Sequence, residues 1–252
     1  MSSLSVILIT YNNEKTLHPC LKSVAHIANE IIVVDSESSD KTVEIAKSFG
    51  AKVIIQKWLG YSKQKNLALT HVTSKWVLWL DADEVFQIRP NTDLMKQLDH
   101  LSHFAGFKVK RRTFFLNRWL DHCLGHEYII RLFKNQAEHT FVQTPVHESV
   151  QIKGSSQILK SVHIDHYSYE NLKSYLNKSI LYGDLYVEKA LQKNKTMKTF
   201  RLFFVFPIRF LKLYILKRGF LDGTSGLIFS MMSAAHDFYK YSRLWEETHK
   251  VD

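Results

Sequence analysis

The chain has 252 residues, 45% of them hydrophobic and 13% aromatic, with 34 Lys+Arg against 24 Asp+Glu and a formal net charge of +10. That length can bury a substantial core in one large domain or a domain with an appendage, and the apolar content excludes a disordered chain. Nine Gly and four Pro exclude collagen-like or low-complexity material, and Cys20 and Cys123 are too few for a disulfide framework or a structural zinc site.

The predicted elements alternate strand and helix over the first hundred residues. Ser5–Thr10 is a β-branched run of the kind a buried parallel strand requires. Residues Leu17–Ala28 read as a helix and Glu30–Asp35 as a second buried strand. Ser38, Ser39 and Asp40 offer helix caps before Thr42–Phe49, a helix closed by Gly50. Val53–Gln56 is a third strand, Ser62–His71 a third helix, and Trp76–Leu80 a fourth strand that runs into Asp81-Ala82-Asp83-Glu84. This order predicts an α/β fold with a mostly parallel central sheet and helices on its faces. Beyond residue 100 the pattern loosens, with strands expected at Gly106–Phe115 and Tyr128–Phe133 and a helix over Lys173–Leu191.

Charge divides the chain more sharply than the periodicity does. Residues 1–100 carry 11 Lys+Arg and 11 Asp+Glu, so the whole excess lies in residues 101–252. From Lys189 to Arg218 there are nine basic residues and no acidic one. The segment Thr199–Leu221 mixes Phe, Leu and Tyr with Arg and Lys, and Pro207 starts or kinks a helix there. Two readings fit: an interfacial helix on anionic lipid, or a helix packed on the catalytic domain with lysines reaching solvent. The longest uncharged apolar run of this tail, Leu202–Ile208, is far short of a membrane span. The N-terminus lacks the basic stretch of a signal peptide, so a cytoplasmic protein is expected.

In open parallel sheets ligands bind beyond the carboxyl ends of the strands. Polar residues gather there: Thr10, Tyr11, Asn12, Asn13 and Glu14, then Asp35, Ser36 and Glu37, then Asp81 and Asp83. If the fourth strand persists, Asp81 and Asp83 point the same way and bring two hard oxygen donors together, a pair suited to Mg²⁺ or Mn²⁺ bridging a diphosphate. The alternative is a solvated acidic loop. Asp35 could accept hydrogen bonds from a base or ribose, or could simply cap its own turn. Lys63, at the start of the third helix, could meet a phosphate or lie on a solvated face. No Walker-type phosphate loop and no Gly-x-Gly-x-x-Gly is present.

Three segments, Ser5–Glu14 (SVILITYNNE), Ile31–Thr42 (IIVVDSESSDKT) and Trp76–Glu84 (WVLWLDADE), resemble family 2 glycosyltransferases in order and spacing. Gly60–Asn66, Arg131–Lys134, Val146-His147-Glu148 and the Arg209–Gly223 tail extend the likeness to the bacterial lipopolysaccharide-core β-1,4-glucosyltransferase group. The resemblance implies a GT-A (Rossmann-like) domain over 1–170, with a nucleotide-sugar half at 1–100 and an acceptor half at 101–170. A basic helical region, membrane-associating under the first reading of the tail, would follow over 171–252. It further implies an inverting mechanism, a UDP-sugar donor such as UDP-glucose, and a divalent cation. Carried over by position, Thr10, Tyr11, Asn12 and Glu14 line the nucleotide pocket, Asp35 contacts uridine, Lys63 assists, Asp81 sits near ribose and metal, and Asp83 is the principal metal ligand. The second motif departs from the family pattern, since Asp35-Ser36-Glu37 stands where Asp-Asp-Gly is commoner, and the ribose contact at Ser36 is left open.

The same resemblance points to Glu148 as the carboxylate that deprotonates the acceptor; the alternative is a loop glutamate, or one paired with a base such as Lys134. His147 could orient Glu148, and Glu127 and Asp121 are fallback bases. His163 or His166 could complete the metal site, although such histidines are more often structural. The acceptor implied is a lipopolysaccharide core or another lipid-linked saccharide, reached at the inner face of the cytoplasmic membrane. Two alternatives stand beside this reading. A sugar-phosphate nucleotidyltransferase also uses paired aspartates, but residues 5–16 lack its Gly-rich phosphate loop. A nucleic-acid-binding module could use Lys108–Arg112 with Phe114 and Phe115, but it leaves the acidic strand ends unexplained, so no nucleic-acid partner is expected.

Overall fold

The computed structural model describes residues 2–124, 127–143, 148–169 and 171–250, without the side chains of Gln143 and Glu148. In chain order the elements are β1 (Leu4–Thr10), α1 (Leu17–Val24), β2 (Glu30–Asp35), α2 (Thr42–Ser48), β3 (Lys52–Ile55), α3 (Tyr61–Leu69), β4 (Trp76–Asp81), β5 (Glu84–Ile88) and α4 (Leu94–His100). They continue with β6 (Gly106–Phe115), β7 (Arg118–Trp119), β8 (Glu127–Lys134), β9 (Thr140–Gln143), β10 (Glu148–Gln151) and β11 (Ser156–His166). Three long helices complete the chain: α5 (Leu172–Leu191), α6 (Thr199–Leu211) and α7 (Gly223–Thr248). A π-helical turn, Lys212–Leu216, and a 3-10 turn, Gly219–Asp222, lie between the last two.

Two units share these elements. The first comprises residues 1–111 and 127–166, and the second residues 112–126 and 167–252. The boundary within residues 101–170 thus differs from the expected one: residues 112–126, placed in the acceptor half, group with the C-terminal helices.

In the first unit the sheet order is β3-β2-β1-β4-β8-β6-β11-β5. The four strands read from the first hundred residues are parallel, β1 lying between β2 and β4 with β3 beyond β2. Strand β8 is antiparallel to both β4 and β6, and β11 is antiparallel to β5. The parallel half is therefore extended by antiparallel strands of the loosely patterned region. Each central strand is apolar on both faces because each face has its own core. Val6, Leu8, Val33, Leu78 and Leu80 point into a cluster with Leu17, Cys20, Leu21 and Val24 of α1. The alternate residues Ile7, Ile32, Val34, Val77 and Trp79 join Ala68 of α3 and Phe141 of β9. The i, i+3, i+4, i+7 spacing of the α1 residues explains why a helix of eight residues suffices to cover that face.

In the second unit α7 packs against both α5 and α6. Asp222 fixes the start of α7: its buried carboxylate accepts the backbone N–H groups of Asp121, His122 and Cys123 at 2.8–3.2 Å and lies 2.7 Å from His122 Nδ1. Close by, Gly219 and Gly226 make room for backbone against backbone. A Cβ on Gly226 would collide with the carbonyl oxygen of Gly219, a contact no side-chain rotation relieves.

Two predictions follow from this unit. Gly226→Ala should lower unfolding free energy by about 2 kcal/mol in urea titration, as overpacking against backbone does. The pKa of Asp222 is lowered: burial pushes it up, but the N–H groups of residues 122 and 123 and the His122 ring more than offset this. A carboxyl held low stabilises the fold above its unfolded pKa and loses that contribution as pH falls through the native value. Asp222→Asn should therefore remove part of the acid-side slope of stability against pH, read from thermal unfolding between neutral and strongly acidic pH.

Candidate active site

Strand register assembles the site. Thr10 pairs with Asp35 across β1 and β2, and Ile9 pairs with Asp81 across β1 and β4, so three polar residues close three adjacent parallel strands at one edge. Asp35 is fully buried and its carboxylate is occupied. It accepts from Thr10 Oγ1 at 2.7 Å, Ser38 N at 2.8 Å and Ser38 Oγ at 2.6 Å. The turn-capping alternative is thus realised. Asn12, at φ 50°, joins the loop after β1 to the loop after β2. Its N–H donates to Ser38 Oγ and its Oδ1 accepts from Ser39 N. The Glu14 N–H donates to Asp40 Oδ2, and Glu14 Oε2 accepts from Lys41 N. Of the four loop residues expected to line a pocket, Thr10 is buried while Tyr11, Asn12 and Glu14 are exposed, the Tyr11 ring at 62%.

The two aspartates of the acidic motif part company. Strand β4 ends at Asp81, Ala82 and Asp83 form a turn, and β5 begins at Glu84, so the strand does not persist and the carboxylates do not share one direction. Asp81 is taken by two cations: Arg131 Nη2 at 3.0 Å on one oxygen and Lys65 Nζ at 3.5 Å on the other. Arg131 is fully buried, with its guanidinium carbon 3.4 Å from the Trp79 ring centroid, and the same Nη2 reaches Glu84 Oε1 at 2.5 Å. Lys65 also lies over Trp79, at 4.1 Å. The other Glu84 oxygen accepts the Asp81 N–H at 3.0 Å, closing the turn on itself. Arg111 extends the chain of charges, 3.4 Å from Glu84 and in hydrogen bonds to Glu127. Burial pushes the Asp81 carboxyl up, but Arg131 and Lys65 outweigh it and hold the group well below the usual range. Glu84 is shifted upward, by burial and by the Asp81 charge, against the pull of Arg131.

Three cations (Lys65, Arg111, Arg131) thus face three anions (Asp81, Glu84, Glu127), and Asp83 has a histidine beside it. Its Oδ1 is 3.4 Å from His166 Nε2, because His166 ends β11 opposite Glu84, the residue that follows Asp83. His163 lies an odd number of residues away on β11 and so faces the other side of the strand, where its Nε2 is 3.5 Å from Asp165. Of the two histidines, His166 is the one beside Asp83. A carboxylate oxygen at a strand end suits Mn²⁺ or Mg²⁺, which keep positions for phosphate oxygens and water, and an imidazole nitrogen beside it fits Mn²⁺ better than the harder Mg²⁺. Among the described residues no group of three His, Cys, Asp or Glu side chains could hold an ion.

Lys63 is exposed on α3, and it is Lys65, one half-turn further, that reaches the acidic strand end. Glu148 opens β10 with its backbone opposite Gln143, while Pro145, Val146 and His147 lie outside the described residues. The hairpin that carries Glu148 is tied to α3 by Asn66, whose side-chain amide exchanges hydrogen bonds with both backbone groups of Phe141 at 2.8 and 2.9 Å. Glu127, one fallback base, is committed to Arg111. Asp121, the other, belongs to the second unit, where its N–H donates to Asp222.

A family model described as Glycosyl transferase family 2 matches residues 5–163. The chain belongs to this family. A glycosyltransferase of Rickettsia typhi is 30% identical over 263 residues, spanning 98% of this chain and 88% of that protein. LpsC of Rhizobium meliloti, a lipopolysaccharide core biosynthesis glycosyltransferase, is 25% identical over 249 residues, 96% of this chain and 92% of that one. The crystal structure of S. aureus TarS in complex with UDP-GlcNAc covers 99% of this chain and 94% of its own, at 15% identity and a TM-score of 0.51, a likeness of fold. The fold is therefore GT-A and the chain a glycosyltransferase, which sets aside the nucleotidyltransferase and nucleic-acid readings.

The charge cluster yields a direct test. Arg131→Met leaves Glu84 buried and Asp81 half-covered without their shared cation, and should cost about 3 kcal/mol of unfolding free energy in a denaturant titration.

Proposed function

We propose that this glycosyltransferase moves a hexose, glucose, from a UDP-sugar to a lipopolysaccharide-core or other lipid-linked saccharide with inversion at the anomeric carbon. The observation that carries the reading is the arrangement at the strand ends: Thr10, Asp35 and Asp81 on adjacent strands, with Asp83 beside His166 just past them. The fold, the family and the LpsC relative support it; the choice of glucose rests on the sequence resemblance.

The loop residues Tyr11, Asn12 and Glu14 and the Asp35-centred hydrogen bonds form the floor on which the nucleotide rests. Tyr11 offers an exposed ring for the base. Asp81, kept ionised by Arg131 and Lys65, accepts from ribose hydroxyls and keeps a fixed orientation because both cations hold it. This shifts the division of labour expected within the motif: Asp83, with His166, would hold the divalent cation, and Asp81 positions the donor. When bound, such a cation offsets the negative charge that develops on the departing diphosphate. Lys65 lies beside the same strand end with charge of the same sign. On the acceptor side, Glu148 takes the proton from the attacking hydroxyl as its oxygen bonds to the anomeric carbon. The bond from that carbon to the diphosphate oxygen breaks, and UDP leaves with the bonding pair. Asn66 holds the hairpin that carries Glu148, so α3 sets both the donor-side cation and the base-bearing strand. A lipid-linked acceptor places this chemistry at the cytoplasmic face of a membrane.

Two variants separate these roles. Glu148→Gln should abolish hexose transfer to a core-truncated lipopolysaccharide, read by mass spectrometry, while UDP-glucose binding in calorimetry stays within about twofold of wild type; retained turnover removes Glu148 from the mechanism. Asp83→Asn should weaken UDP binding only when Mn²⁺ is present, by about tenfold or more, and the same loss in a chelator would assign Asp83 a purely structural role.

A further inference from the structure

Helix α6 carries two faces of opposite character. On one side Leu202 and Val205 pack beside Val187, Ala190 and Leu244. Arg209, on the same side, donates to Ser233 Oγ at 3.2 Å and lies 3.4 Å from Asp237 of α7. At 3.6 residues per turn, Phe200, Phe203, Phe204, Ile208 and Leu211 project from the other side. No residue of α6 is fully buried, and Phe203 is 76% exposed. The exposed row runs on through the π-helical turn, where Leu213 is buried but Ile215 and Leu216 stand out, Leu216 at 78%. A contiguous exposed apolar stripe of this size marks an interaction surface.

Charge identifies what covers it. Lys198, Arg201, Lys212, Lys217 and Arg218 are all exposed around the stripe, within a thirty-residue stretch that holds no acidic residue. A second copy of the chain would bring one such basic rim against another, a like-charge contact that an isologous dimer cannot avoid. An apolar row framed by cations fits a surface that offers hydrocarbon and negative headgroups together. Among the described residues no helix is long and apolar enough to cross a membrane, so this helix would lie in the interface rather than span it.

We propose that the outer face of α6 and the π-helical turn, Phe200 to Leu216, docks the protein on an anionic bilayer, with the aromatic and aliphatic row entering the headgroup boundary and the basic rim contacting lipid phosphates. This deepens the reading of a lipid-linked acceptor, on which it rests for the purpose of docking; the contact itself is read without any sugar transfer.

The test is co-sedimentation of the full chain with vesicles of phosphatidylcholine alone and with about one-third phosphatidylglycerol, at low and physiological salt. The wild type should bind the anionic vesicles at least tenfold more tightly than the neutral ones. The double variant Phe203→Ser/Phe204→Ser, altered only at exposed positions, should lose at least tenfold of that binding while its circular dichroism and UDP-glucose binding stay those of wild type. Lys212→Gln/Lys217→Gln should lose binding chiefly at low salt. Wild-type protein that ignores anionic vesicles, aromatic variants that bind as wild type does, or a concentration-dependent dimer dissolved by the same aromatic changes would each overturn the proposal. Transfer to a water-soluble core oligosaccharide is measured in parallel, so a failed docking face and a failed transferase assignment give different results.

Discussion

The buried guanidinium of Arg131 organises the end of the sheet. One nitrogen reaches both Asp81 and Glu84 while the group stacks on Trp79. Glu84 in turn accepts the N–H of Asp81, which fixes the tight passage from β4 to β5. A buried ion cluster of this kind adds little net stability compared with apolar packing, since desolvation offsets most of the attraction. Its consequence here is geometric. Because Asp81 is committed to Arg131 and Lys65, the turn sends Asp83 to the other side, against His166 at the end of β11. The acidic motif is thereby split between a carboxylate held by two cations and one set beside a histidine.

The same constraint links donor and acceptor sides of the chemistry. Helix α3 contributes Lys65 to the cluster and, from the adjacent residue, Asn66 to the β9–β10 hairpin where Glu148 begins β10. Trp79 contributes to both as well: its ring carries the two cations and meets Phe141 of the hairpin edge-on at 5.3 Å. A small change in α3 would therefore move the acidic strand end and the hairpin together.

Much of this was legible in the sequence. The apolar runs at β1, β2 and β4, ending in Thr10, Asp35 and Asp81, are enough to place those residues on one edge once the strands are parallel. What escaped was whatever depends on partners distant in sequence. Arg131 sits between Ile130 and Leu132 in a strand that reads as half-exposed, and only the pairing of β4 with β8 brings it, fifty residues on, to Asp81. Lys65 has the same local signature as the solvated Lys63, and two residues of helix rotation decide which one points inward. Strand β5 was hidden because its first residue is a glutamate, a poor strand former by composition and a good one only when a buried arginine awaits it. The grouping of residues 112–126 with the C-terminal helices joins partners distant in sequence: Asp222 takes the N–H groups of residues 121–123, and Phe115, Leu120 and Cys123 pack with Tyr175, Leu213 and Phe229. The excess of positive charge was visible from the start; the structure adds that in α6 it surrounds an exposed apolar row.

The measurement that tests the central claim most directly is a donor screen on the wild-type protein. Purified chain, Mn²⁺ and a core-truncated lipopolysaccharide are incubated with each common UDP-sugar in turn, and the acceptor is read by mass spectrometry. The account predicts the gain of one hexose with UDP-glucose, lost when Mn²⁺ is chelated. Failure of every UDP-sugar to alter the acceptor, with no UDP binding in calorimetry under the same conditions, would contradict it.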